Sequence, residues 1–85
     1  MKQEYLEKMR LIFGEIIGRE ITGHEMGDGE NLVEKLSIDS LMGLQIIIKI
    51  EQEFAVIIED DEVAIALVDS GSKLQQYIEE YNTEG

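Results

Sequence analysis

The chain has 85 residues, no cysteine and no proline, and its 19 acids against seven Lys and Arg give a formal charge of -12. That length makes a single domain, residues 1–85, with a modest core, because so short a chain buries only about 60% of its unfolded surface. The cysteine count excludes a disulfide framework and thiolate metal sites, the charge repels nucleic acid and anionic membranes, and a hydrophobic fraction of 44% excludes disorder throughout.

Tyr5, Leu6, Met9, Ile12, Phe13, Ile16 and Ile17 keep the rhythm of a half-buried helix, and Gly18 supplies its stop. The spacing predicts a first helix over about 2–17. Acids in its first turns and the lack of a long apolar run argue against a secretory signal. No stretch reaches the roughly 18 apolar residues of a membrane span, so a cytoplasmic location is the default expectation. Residues 18–39, GREITGHEMGDGENLVEKLSID, hold four of the eight glycines and read as one long connection. A loop of that length in a small domain is functional or is pinned by its own side chains. Leu32, Val33 and Leu36 are the candidate pins.

The second helix is expected over about 40–54, with Asp39 suited to its N-cap. AVII, residues 55–58, carries the β-branched residues that favour a strand. No second strand of similar quality exists to pair with it, so that reading is rejected. The acids Glu59 to Glu62 lead into a short helix over about 61–67, and Asp69 or Ser70 could cap a last helix over about 71–81, which carries Leu74, Tyr77, Ile78 and Tyr81. Residues 82–85 should fray. The expected fold is all-α: a four-helix bundle with a short third helix and a long loop between helices one and two.

At about 100° per residue, Ile46, Ile47, Ile50 and Phe54 gather with Gly43 on the side of the second helix that should face the core. Gln45, Lys49, Gln52 and Glu53 gather opposite. Leu41 and Ile48 border this polar arc and Met42 falls inside it, so these three are expected to form an exposed apolar cluster beside Ser40. Single exposed apolar residues are ordinary. Three on one flank beside a helix-initial hydroxyl point to a docking site. Gly43 costs a helix about 1 kcal/mol relative to alanine, which close approach of another helix would explain. Glu51 lies toward the apolar side, and the sequence offers no account of it.

The stretch LSIDSLMGLQIIIKIEQEF, followed by IIEDDE, resembles the core of acyl and peptidyl carrier proteins. Those domains carry a Leu-Gly-x-Asp-Ser-Leu signature, a helix ending Glu-x-x-Phe, then an isoleucine and acids. Leu36, Asp39, Ser40, Leu41, Glu51, Phe54 and Ile58 fall in that register. ENLVEKL before the motif and LQQYIEEY after it also fit, so the resemblance covers nearly the whole chain. It implies a discrete, stand-alone four-helix carrier whose Ser40 bears 4'-phosphopantetheine derived from coenzyme A, with Asp39 as the flanking recognition residue. It also implies a partner-facing side made of Leu41, Met42, Gln45, Ile48 and Gln52. The implied partners are a phosphopantetheinyl transferase, an acyl- or aminoacyl-loading enzyme and downstream synthase enzymes. The carrier itself would be a non-catalytic monomer that presents thioester-bound intermediates.

Two departures from the family pattern carry expectations of their own. Ser37 stands where the family usually has glycine. If that position needs a positive φ, serine is strained there, and the local turn is expected to differ slightly. Carriers of fatty-acid synthesis usually have acids where this chain has Met42, Gln45 and Gln52. The resemblance therefore points to polyketide, peptide or other specialised biosynthesis rather than to primary fatty acid synthesis.

Three other readings compete. Hydrolysis through Ser40 needs a base, and His24 is the only histidine; no Gly-x-Ser-x-Gly elbow is present. Metal binding by Glu59, Asp60, Asp61 and Glu62 is disfavoured, because consecutive acids diverge and miss the EF-hand spacing. An unmodified helical interaction module would dock through Leu41, Met42 and Ile48, with Ser40 serving only in the helix cap.

Overall fold

The chain folds into α1 (Gln3–Ile17), α2 (Gly23–Met26), α3 (Leu32–Lys35), α4 (Ser40–Phe54), α5 (Asp61–Asp69) and α6 (Gly71–Glu84). These come from a computed structural model that describes residues 2–84, and no strand occurs among them. The architecture is an all-α bundle. α1, α4, α5 and α6 enclose one core, and α4 packs against both α1 and α5. Met9 and Phe13 from α1, Ile46 and Ile50 from α4, Val68 from α5, and Leu74 and Ile78 from α6 are buried at its centre. Each such side chain contributes about 1.5–3 kcal/mol by leaving water. No helix among the described residues is long and apolar enough to cross a membrane.

The first helix follows its apolar rhythm: Met9, Ile12 and Phe13 are buried, with Tyr5, Leu6, Ile16 and Ile17 packed half-buried around them. It stops where Gly18 turns left-handed at φ 92°, its N–H donating to the Gly14 carbonyl at 2.8 Å.

The connection to α4 is not one long loop. It contains two single-turn helices, α2 and α3. Helices this short do not sustain themselves, because nucleation costs more than one turn of hydrogen bonds returns. Caps and burial hold them instead. Thr22 and Glu25 form a reciprocal capping box on α2, with bonds of 3.1 and 3.2 Å. Leu32 and Leu36 are buried and Val33 half-buried, as expected of the pins, and Ile21 and Met26 are buried beside them.

A second set of bonds fastens this connection to the far side of the bundle. Asp69 does not cap α6. Its Oδ1 accepts the Val33 N–H at 3.0 Å and so caps α3. Ser70 caps α6, its Oγ accepting the Lys73 N–H at 3.3 Å while donating to Glu30 Oε1 at 2.7 Å. Gly71 N–H donates to the Gly29 carbonyl at 2.6 Å. The hydrogen bond from Ser70 holds the Glu30 carboxyl below its ordinary pKa, more strongly than burial raises it.

Residues 55–58 form no strand. Ala55 is left-handed at φ 55°, Val56 and Ile58 turn into the core, and Ile57 stays exposed. This turn also accounts for Glu51. The Glu51 side chain is half-buried at the end of α4, and its Oε2 accepts the Ile58 N–H at 2.8 Å. α5 runs on to Asp69 rather than ending near Leu67. α6 continues through Glu84, where fraying was expected from residue 82, and residue 85 lies outside the described residues.

Candidate functional site

The approach to Ser40 is a stiff turn. α3 ends in paired bonds from Ile38 N–H to the Val33 carbonyl at 2.9 Å and from Ser37 N–H to the Glu34 carbonyl at 3.3 Å. This is the Schellman pattern, which places a left-handed residue just past the helix. Ser37 takes that position at φ 53°. The position does need a positive φ, the case in which the sequence marked serine as strained, and the serine itself adopts the left-handed conformation. Ile38 is buried, and the chain passes straight to Asp39 and into α4.

Asp39 is the N-cap, as its position suggested. Its Oδ1 accepts the Met42 N–H at 2.8 Å. Ser40 is the first residue of the 15-residue helix α4 and is exposed. Its hydroxyl makes no hydrogen bond among the described residues. With the Met42 N–H taken, the Ser40 and Leu41 N–H groups remain without intrahelical acceptors. The aligned peptides of the helix add positive potential at this end.

Gly43 is buried under α5: a Cβ there would lie 2.9 Å from Ile65 Cδ1. The close approach expected of another helix is made by α5. Between the two helices runs an open groove of about 480 Å³ lined by Ser40, Leu44, Ile65, Asp61 and Glu62. Sequence reasoning missed Leu44, Ile65 and the part played by Asp61 and Glu62. Gly43 was the signal that something crosses here, but not what.

The outer face of α4 is a stripe of Leu41, Gln45, Ile48 and Gln52, all exposed, with Leu41 at 67% and Ile48 at 52%. Met42 does not belong to it. Expected in the open, it is half-buried and packed against the core. It lies about 90° from the buried face defined by Gly43, Ile46, Ile47 and Ile50, close enough for a long flexible side chain to fold inward. Each charged residue of α4 is engaged away from the stripe. Lys49 pairs with Glu15 of α1 at 3.1 Å, Glu53 with Lys8 of α1 at 3.4 Å, and Glu51 holds the Ile58 amide.

The residues of the rival readings lie elsewhere. His24 is exposed on α2, and no hydrogen bond joins it to Ser40 among the described residues. In the acidic run, Asp60 is the N-cap of α5, accepting the Glu62 and Val63 N–H groups at 2.8 and 3.1 Å. Among the described residues, no three His, Asp or Glu side chains converge as a metal site.

Residues 7–68, from within α1 into the last turn of α5, match the family described as the phosphopantetheine attachment site. The chain belongs to that family. Its members are carrier proteins that bear 4'-phosphopantetheine on a serine. No curated protein and no solved structure matches the chain significantly. The residues matched to the attachment-site family contain two serines, Ser37 and Ser40. The fold fits the group the family carries: an exposed hydroxyl stands on a helix N-terminus suited to a phosphodiester, beside a groove floored by Leu44 and Ile65.

Proposed function

We propose that Ser40 is the attachment residue and that the protein presents acyl or aminoacyl groups to biosynthetic enzymes. The observation that carries this reading is the placement of the two serines. Ser40 opens α4 with a free, exposed hydroxyl, whereas Ser37 closes α3 in a left-handed turn. A phosphodiester on Ser40 meets unpartnered N–H groups and the positive end of a long helix; one on Ser37 meets neither. When bound, the group supplies a terminal thiol, which this cysteine-free chain lacks, and through it a thioester linkage to cargo.

The chain's own residues do the rest. Asp39 fixes the first turn of α4 and so aims Ser40 outward, and it is the flanking residue for transferase recognition. Leu41, Gln45, Ile48 and Gln52 form the surface that meets the transferase, the loading enzyme and the downstream synthase enzymes, with Met42 contributing only its exposed part. The stripe carries no charge, so a basic enzyme patch finds little to hold on it. That supports polyketide, peptide or other specialised biosynthesis over primary fatty acid synthesis. The protein acts as a monomer in the cytoplasm and catalyses no reaction itself.

Intact-mass measurement after incubation with coenzyme A and a broad-specificity phosphopantetheinyl transferase tests this. The wild type and Ser37→Ala gain one phosphopantetheine and Ser40→Ala gains none. Modification of Ser40→Ala, or an unmodified wild type beside a modified control carrier, overturns the assignment. An unmodified wild type that still binds a partner through Leu41 and Ile48 would make it a plain interaction module.

A further inference from the structure

A second groove, of about 420 Å³, opens between the 57–60 turn, α5 and α6, lined by Ile57, Ile58, Glu59, Asp60, Val63, Tyr77 and Tyr81. It shares no lining residue with the groove beside Ser40. Ala64, Leu67 and Val68 mark the buried face of α5. At about 100° per residue, Ile65 and Val63 leave that face on opposite flanks. The two grooves therefore lie on either side of α5.

The second groove is shaped and charged. Ile57 is 56% and Val63 43% exposed, and because both line the same groove they form a joint apolar surface rather than scattered single residues. Tyr77 and Tyr81 stack with ring centroids 6.2 Å apart, and the Tyr77 hydroxyl donates to the Ile57 carbonyl at 2.6 Å, which fixes the wall. The rim carries Glu59 and Asp60, and among the described residues no Lys or Arg lines the groove. Burial first, and then the charges of Tyr81, Glu59 and Glu51, push the Tyr77 hydroxyl above the ordinary tyrosine value.

These features select one occupant. A second copy of this chain brings the same rim acids and a formal charge of -12 to meet its own kind. Nucleic acid and anionic lipid are repelled likewise. A cationic segment with apolar side chains is matched on both counts: Arg or Lys faces Glu59 and Asp60 or stacks on the tyrosine rings, while apolar side chains meet Ile57 and Val63. We infer that this groove docks a short basic amphipathic segment of a partner protein, and that it does so while Ser40 remains free. The carrier would then be held to a synthase by one flank of α5 while its reactive end is offered to enzymes on the other. The inference does not depend on Ser40 being the attachment residue.

The test uses the full chain and a synthetic amphipathic helical peptide of alternating Leu and Lys/Arg pairs. A peptide of equal charge with Leu replaced by Ser, and an acidic analogue, serve as controls. Amide and side-chain chemical shifts are followed by NMR and affinity by fluorescence anisotropy. The expected result is shift changes centred on residues 57–60, Val63, Tyr77 and Tyr81, with Ser40, Leu44 and Ile65 unmoved. Affinity should fall at least tenfold in the double variant Ile57→Ser, Glu59→Lys and for the Leu-free peptide. Shifts centred on the Ser40 groove or the α4 stripe overturn the inference, and equal binding of the Leu-free peptide, which would mean charge alone acts, does too. So does absence of binding. Transferase modification of Ser40 is run with and without the peptide. Equal rates support simultaneous access, and a block by the peptide refutes it. Failure of modification in both arms counts against Ser40 and leaves the groove result standing.

Discussion

Replacing Ser37 with glycine should make the protein more stable. Ser37 sits at φ 53°, and its exposed side chain makes no hydrogen bond among the described residues. A left-handed residue with a Cβ costs about 1–2 kcal/mol. Glycine removes that strain but gives the unfolded chain extra freedom worth about 0.4–1 kcal/mol. The difference favours Ser37→Gly by about 0.5–1 kcal/mol, which for a domain of this size raises Tm by about 2–8 °C. The bonds at Ser37 N–H and Ile38 N–H survive the change, so nothing is lost in exchange. Calorimetry and urea titration on a series give the sharper test. Asn, which tolerates the left-handed region, should fall between Ser and Gly, and Val should be worst because its branched Cβ opposes that conformation most. A midpoint for Ser37→Gly below that of the wild type, or a Val variant as stable as the wild type, would refute the left-handed assignment.

Ser70→Ala removes the α6 cap and the partner of Glu30 together and should cost about 1–2 kcal/mol in urea titration; an unchanged midpoint would deny the link between the first connection and α6. Because the folded-state pKa of Glu30 is depressed, its ionised form contributes stability that is full above the ordinary value of 4.5 and is lost as pH falls through the lower folded value. The stability gap between the wild type and Glu30→Gln should accordingly be constant near neutrality and shrink in acid, and a gap that widened in acid would reverse the sign argued here. Glu51→Ala should cost about 1–3 kcal/mol by orphaning the part-buried Ile58 amide, while Glu51→Gln, which keeps an acceptor, should cost less; equal losses would mean that the bond is not the cause. Ile48→Glu should weaken binding to the protein's own downstream enzyme while changing stability by no more than about 0.5 kcal/mol, whereas Met42→Glu should lower Tm because it puts a charge against the core; a neutral Met42→Glu would return Met42 to the open face.

What the sequence disclosed and what it withheld divide along a physical line. The apolar rhythms of α1 and α4, the Asp39 cap and the start of α4 at Ser40 are local facts, fixed by residues within a turn or two, and they read directly. Leu32 and Leu36 could be named as pins because apolar residues in a polar connection have few other uses. The Glu51 bond could not be read, because its partner is a backbone N–H seven residues away beyond a left-handed alanine. Asp69 and Ser70 looked like rival caps for one helix. Only the tertiary fold sends one of them to α3. Met42 was misplaced because a helix wheel gives direction but not reach, and methionine bends. The groove beside Ser40 depends on where α5 lies, to which Gly43 was the sole local witness.

α5 is moored at its middle and at its end: Ile65 lies over Gly43, and Asp69 holds the first turn of α3, while Asp60 caps only α5's own first turn. The helix cannot lift away from α4 as a whole without letting go of the Val33 amide. Breathing that lifts α5 away from α4 as a unit, and so widens the cleft next to Ser40, loosens α3 in the same event. Deuterium uptake at Val33 would report the opening of a helix to which it does not belong, because the two segments come apart as one cooperative unit.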